Sequence, residues 1–219
     1  IDGVIESYTI ESLIEDDYLS PFLQVTNTER PDEIASCLLS GKVAILIDNT
    51  PFALSLPATL GTMLTSTEDY FNRWPIASLA RILRFISMHV AVMAPALYVA
   101  LTAFNTGVIP TPLTIALAAS RTNVPFPAII EALLMELMIE LIRESGTRIS
   151  GPVGTTVGIV GGLIIGQAAV EAGIVSPLVI ITVAITTLAS FTLPNYDFAS
   201  GIRFVRFIFV IIASIFGLF

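Results

Sequence analysis

Five side chains stand where only a special environment tolerates them: Glu131, Glu136 and Glu140 in the apolar stretch Ala128 to Ile142, and Gln167 and Glu171 in a second one. A carboxylate among apolar residues is costly, so it marks a wet cavity, an ion path or a paired charge. At 100° per residue, Glu136, Glu140, Arg143 and Glu144 share one helix face, and Leu134, Met138, Leu141 and Ile142 share the other. The acidic stripe is either the water side of an interfacial helix laced with pairs such as Glu140 with Arg143, or the wall of an aqueous path. In a symmetric oligomer such a wall becomes a ring that attracts cations. Glu131 lies about 140° from Glu136, on the face of Leu134 and Met138. It either complements the helix dipole in the first turn after Pro127 or is a functional acid among apolar neighbours. Gln167 and Glu171, four apart, share a face, and Glu171 either serves an ion path or reaches lipid headgroups from a helix end.

Gly154, Gly158, Gly162 and Gly166 recur every four residues. A stripe without side chains lets another helix backbone approach closely, with pore lining or a hinge as the other uses. His89 is the single histidine and has no second His or Cys pair beside it, so it reads as a hydrogen-bonded neutral side chain rather than a metal ligand or proton relay. Cys37, the single cysteine, reads as a small buried residue in an apolar helical pattern. No HExxH, GxSxG, phosphate-binding loop or dinucleotide fingerprint occurs. No catalytic residue, metal or cofactor is expected, and the chain does not read as an enzyme.

The elements that must hold these groups divide by charge. Of 219 residues, 54% are hydrophobic and 13% charged, against about a quarter charged in ordinary globular domains. Residues 1–75 carry twelve acids against three bases, whereas 76–219 carry six acids and seven arginines. The net charge of −8 therefore resides in the first third, which would repel nucleic acid and anionic headgroups. The expected fold is that of a membrane protein: a small α+β soluble segment (1–75), then a polytopic α-helical transmembrane bundle (76–219) with a short or re-entrant segment. The absence of an initial Met and the end inside an apolar run read as a fragment, truncated at the C-terminal end.

In the first part, a short acidic helix ends before Leu19-Ser20-Pro21-Phe22, and a second runs from Pro31 to about Gly41. Lys42 to Ile47 and Phe52 to Leu56 flank the turn Asp48-Asn49-Thr50 as a β-hairpin. Aromatic residues and arginines around Glu68 to Pro75 mark a membrane entry. Leu83 to Phe104 is long enough to span, at about 33 Å, with Pro95 inside it. Val108 to Ser120 is too short for a regular span, and Val153 to Pro194 fits two antiparallel helices of roughly 18 to 20 residues. Arg203 and Arg206 are expected in a cytoplasmic loop, 195–206, before the last apolar run, together with a cytoplasmic N-terminal segment.

Several runs carry a family resemblance: Thr28-Glu29-Arg30-Pro31-Asp32, Gly41-Lys42-Val43-Ala44-Ile45-Leu46-Ile47-Asp48, Arg81-Ile82-Leu83-Arg84, Val124-Pro125-Phe126-Pro127 and Arg143-Glu144-Ser145-Gly146. The most telling is Ile165-Gly166-Gln167-Ala168-Ala169-Val170-Glu171-Ala172-Gly173. Over nearly its whole length the chain resembles the GerA family, the A subunits of germinant receptors in spore-forming bacteria. The resemblance implies a multi-pass receptor subunit in the spore inner membrane, working with a transporter-like B subunit and a lipoprotein C subunit. It further implies a homo-oligomer forming a nutrient-gated ion channel. A substrate transporter with a midplane site, or a purely structural assembly subunit, is the alternative.

Overall fold

The computed structural model describes residues 6–17, 19–148 and 152–218, and the side chains of 147, 152–160 and 163 lie outside that description. In chain order the elements are α1 (Ser7–Ile14), β1 (Thr26–Thr28), α2 (Pro31–Leu39), β2 (Val43–Leu46), β3 (Ala53–Leu56), α3 (Leu60–Leu64) and α4 (Glu68–Phe71). There follow α5 (Trp74–Ala103), α6 (Thr111–Ser120), α7 (Ala128–Arg148), α8 (Pro152–Glu171), α9 (Pro177–Phe191) and α10 (Tyr196–Phe216). The chain divides into two compact units, residues up to Met88 with Ser190–Phe204, and His89–Ala189 with the residues from Val205 onward.

The first unit is built on the expected hairpin, β2 against β3 with Val43 opposite Leu56. A third strand, absent from the sequence expectation, pairs antiparallel on the other side, Thr26 opposite Ser55, giving the order β1-β3-β2. The central strand is therefore the buried one, and Leu54, like Val25 and Met63, is enclosed. Only three residues long and without apolar alternation, Thr26-Asn27-Thr28 offers the sequence no strand signal. Helix α2 starts on Pro31 with Asp32 and Glu33 in its first turn, and Gly41 at φ +82° turns the chain out of it. Thr59 and Thr62 close a reciprocal capping box on α3. The start of α10 also belongs here. Phe198 meets Phe22 at 5.8 Å between ring centroids, and a Cβ on Gly201 would lie 2.3 Å from the Pro21 carbonyl oxygen, so only glycine permits that approach.

The second unit is helical. Its core joins Val99 of α5, Ala132 and Met135 of α7, Ala169 of α8, Val179 and Val183 of α9, and Val210 and Ala213 of α10. Among the described residues, Trp74–Ala103 and Tyr196–Phe216 are long and apolar enough to cross a membrane. The first starts nine residues before the expected Leu83, so Arg81 and Arg84 ride on the helix itself, and Pro95 lies inside it. At ten residues α6 is short, as expected. Helix α9 has 15 residues rather than 18 to 20. The expected loop 195–206 is a correction: α10 begins at Tyr196, and Arg203 and Arg206 are buried on it rather than exposed in a loop. Two arginines suggested a loop because charge is rare in a buried helix; the structure instead gives Arg206 a partner.

Candidate functional site

Two buried carboxylates on α7 organise the second unit. Glu131, in the first turn and 0% exposed, accepts at Oε1 from Arg121 Nη2 (2.9 Å) and Nε (3.1 Å). Its Oε2 accepts from the backbone N–H of Ser176 (2.9 Å), the residue that leads into α9, and the Ser176 hydroxyl lies 3.0 Å from the Tyr98 hydroxyl of α5. Arg121 is the residue that ends α6. One carboxylate thus ties α5, the end of α6, α7 and the turn before α9. Gly173 shapes that turn with φ +66°, and a Cβ there would meet the Asn123 carbonyl oxygen at 3.2 Å. Charge-assisted hydrogen bonds from two sides offset the cost of burying a carboxylate.

One and a half turns on, Glu136 is 2% exposed and its Oε2 lies 3.1 Å from Nη2 of Arg206, itself 1% exposed. That contact is an ion pair by distance without the angles of a hydrogen bond. Thr186 of α9 donates weakly to Oε1 at 3.5 Å. The pair links α7, α9 and α10 within the apolar core.

The enclosed side of α7 cuts across the two faces that the periodicity predicts: one acid from each, Glu131 and Glu136, is buried, and Leu141 and Glu144, again one from each, are exposed. Leu137 and Leu141 are 56% and 57% exposed, whereas Glu131 and Glu136 are enclosed. Glu140 is half-buried and Glu144 is exposed, paired with Arg148 at 2.8 Å. Glu136 therefore does not belong to an exposed stripe with Glu144. The structure does not bring all five candidates together: Gln167 and Glu171 are exposed and line an open groove with Gly162, Gly166, Val170 and Ile180. A Cβ on Gly162 or Gly166 would meet nothing within 4 Å, so within one chain that glycine face is open. The surroundings of Gly154 and Gly158 lie outside the described residues. His89 is exposed, and Cys37 is half-buried rather than fully enclosed.

Sequence reasoning missed Arg121, Tyr98, Ser176, Thr186 and Arg206 as partners, having taken Arg206 as a marker of topology. One signal was available: Arg206 has Phe204-Val205 before it and Phe207-Ile208 after it, and an arginine so placed on a helix needs an acid from elsewhere.

The first unit has its own buried acids. Asp69 is gripped by Arg84, with Nη2 to Oδ1 at 2.8 Å, and by Arg81 Nε at 3.4 Å. The Arg84 hydrogen bonds hold its carboxyl below the usual range. Glu11 is buried with Oε2 lacking a hydrogen-bond partner, and burial, followed by the nearby Glu15 and Asp197 charges, pushes its carboxyl up to about 7.

The model of the Bacillus/Clostridium GerA spore germination protein family matches residues 1–219. The chain is 48% identical over 219 residues to Spore germination protein A1 of Bacillus subtilis (strain 168), covering all of this chain and 45% of that protein. It is 50% identical over 218 residues to Spore germination protein GerLA of Bacillus cereus, covering 44% of that protein. It is also 48% identical to a protein of Bacillus subtilis named as a membrane protein, YfkQ, covering 43% of it. The chain thus spans less than half the length of the curated relatives it matches. The relatives bear the names of germination and membrane proteins, not of enzymes. No solved structure matches it significantly. The chain belongs to the GerA spore germination protein family.

Proposed function

We propose that this member of the GerA family is part of a nutrient-responsive germinant receptor subunit in the spore inner membrane, acting through an oligomer that opens an ion path. One observation carries the reading: Glu131, Glu136 and Arg206 are enclosed while Leu137 and Leu141 face outward, the arrangement suited to a chain solvated by hydrocarbon. On this reading residues 1–75 form an acidic cytoplasmic segment and 76–219 a polytopic helical region in which α6 does not span. A transporter-like B subunit and a lipoprotein C subunit complete the receptor.

Nutrient binding elsewhere in the complex opens the path only if the ligand prefers the open state. The buried pairs divide the candidate acids by role. Glu131 and Glu136, each held by an arginine, fix the helices, whereas the exposed Gln167 and Glu171 and the half-buried Glu140 face passing ions. Ion flux through the whole receptor in vesicles tests this. Glu140→Gln and Glu171→Gln should lower cation preference, and Glu136→Gln should raise leak without nutrient by loosening the Arg206 contact. Unchanged flux and selectivity in all three would remove the acidic path.

A further inference from the structure

Helix α5 begins inside the first unit, which holds it as far as Met88. Its outer side there is apolar: Trp74, Leu79, Ile82, Leu83, Phe85 and Ile86 are each more than half exposed. Asp, Glu and Lys are absent from Trp74 to Ala103, which carries two arginines, Arg81 and Arg84. A helix solvated by water keeps charged and polar residues on its exposed face, so this face is built for other surroundings.

Both arginines are drawn to one carboxylate. Asp69, buried on α4, accepts from Arg84 Nη2 at 2.8 Å and from Arg81 Nε at 3.4 Å. Arg84 Nη1 also donates to the Leu64 carbonyl at 3.4 Å, and the Arg81 guanidinium lies 5.0 Å from the centre of the Tyr70 ring. Tyr70, Phe71 and Trp74, all strongly exposed, cluster where the helix starts. Tyr and Trp favour the layer in which water meets lipid headgroups, because each joins an apolar ring to a polar group.

Length sets the depth. Thirty residues of helix reach about 45 Å, which matches a bilayer with its headgroup layers rather than the hydrocarbon core of about 30 Å alone. Each headgroup layer is then roughly 5–7 Å thick. With Trp74 in that layer, the backbones of Arg81 and Arg84 lie about 10 and 15 Å further along, below it, where an unpaired cation is costly. Side chains on a helix lean toward its N-terminus, so both guanidiniums reach back toward the headgroups, where Asp69 meets them.

We propose that the first unit is seated in the lipid bilayer on this face, with Trp74 in the headgroup layer and Asp69 neutralising Arg84 and Arg81 at the edge of the hydrocarbon. The seat rests on the membrane reading above and extends it to a unit otherwise built like a water-soluble one. Lipid, rather than a second copy of the chain, is the occupant because the same helix is long and apolar enough to cross a membrane, so its exposed face runs on into the span without an acid.

The chain reconstituted in phosphatidylcholine vesicles tests this, since Trp74 is the single tryptophan and reports its own depth. A nitroxide near the headgroup end of the acyl chain should quench its emission more strongly than a nitroxide at the far end of that chain or aqueous iodide. If the hydrocarbon instead began at Leu83, Trp74 would stand about 13 Å outside it and iodide would quench most strongly, which overturns the proposal. Shielding from both nitroxides and iodide would reveal a protein cover and overturns it as well. Asp69→Asn should raise iodide quenching, because the two arginines then draw the helix start toward water; an unchanged pattern overturns the neutralising role of Asp69. The measurements on the unaltered chain stand whether or not that variant folds. Release of the chain from the vesicles by an alkaline wash would overturn the membrane reading itself, whereas iodide quenching of a retained chain overturns the seat alone.

Discussion

The unit built on the small sheet and the unit built on α7 differ in what their largest enclosed side chains are. In the first, Val25, Leu54 and Met63 are enclosed, and Arg30 meets Asp32 and Glu68 at the surface. In the second, Arg206, Glu131 and Glu136 are among the largest fully buried side chains while Leu137, Leu141 and Ile181 face outward. Water drives apolar groups together because the alternative is apolar hydration. Where the surroundings are themselves apolar, that drive is missing, and close packing, hydrogen bonds and paired charges determine which helices meet. Glu68 is accordingly a solvated surface group in one region, and Glu131 and Glu136 are tethers between helices in the other.

The largest effect that can break this comparison lies at Arg206. Replacing it with Met leaves the Glu136 carboxylate buried without its guanidinium and should cost about 3–5 kcal/mol. Replacing Glu136 with Leu in the same chain should recover most of that loss, read as a coupling energy from thermal unfolding in detergent. If the single and double variants unfold alike, the pair is not what joins α7 to α10.

A smaller effect tests the exception within the first unit. The folded Glu11 carboxyl holds its proton up to about pH 7, whereas in the unfolded chain it is lost near its ordinary value. The unfolded state therefore binds fewer protons between roughly pH 4.3 and 7, so stability falls as pH rises through that window and stays lowered above it. Glu11→Gln should flatten the slope and, after allowance for solvent screening, stabilise the chain at pH 8 by about 1–2 kcal/mol. A denaturation midpoint followed from pH 4 to 8 in both chains measures it, and identical profiles would count against the buried acid.

The smallest effect belongs to the exposed pair at the far end of α7. Arg148 and Glu144 are in contact at 2.8 Å yet both remain largely in solvent, so Arg148→Ala should change stability by less than about 0.5 kcal/mol. The contrast with Arg206 sharpens the point that enclosure, not contact distance, sets the value of a pair.

Local signals were legible wherever they depend on neighbours in sequence. Pro31 and Gly41 marked the ends of α2, the turn at Asp48-Asn49-Thr50 separated β2 from β3, and two prolines and a short apolar run gave the limited length of α6. The angular spacing of side chains around α7 followed from the helical period alone. Which face would be enclosed did not, because periodicity fixes angles around an axis and says nothing of what surrounds it. That was decided by Arg121, ten residues away, and Arg206, seventy residues away, which bring their charges to Glu131 and Glu136 only once the helices have packed. The sequence by itself determined the ends of α2, the β2–β3 hairpin, the short α6 and the family, but neither β1 nor the start of α10. The tertiary structure decided the partners of the acids, since a buried charge is settled by whichever opposite charge the fold carries to it.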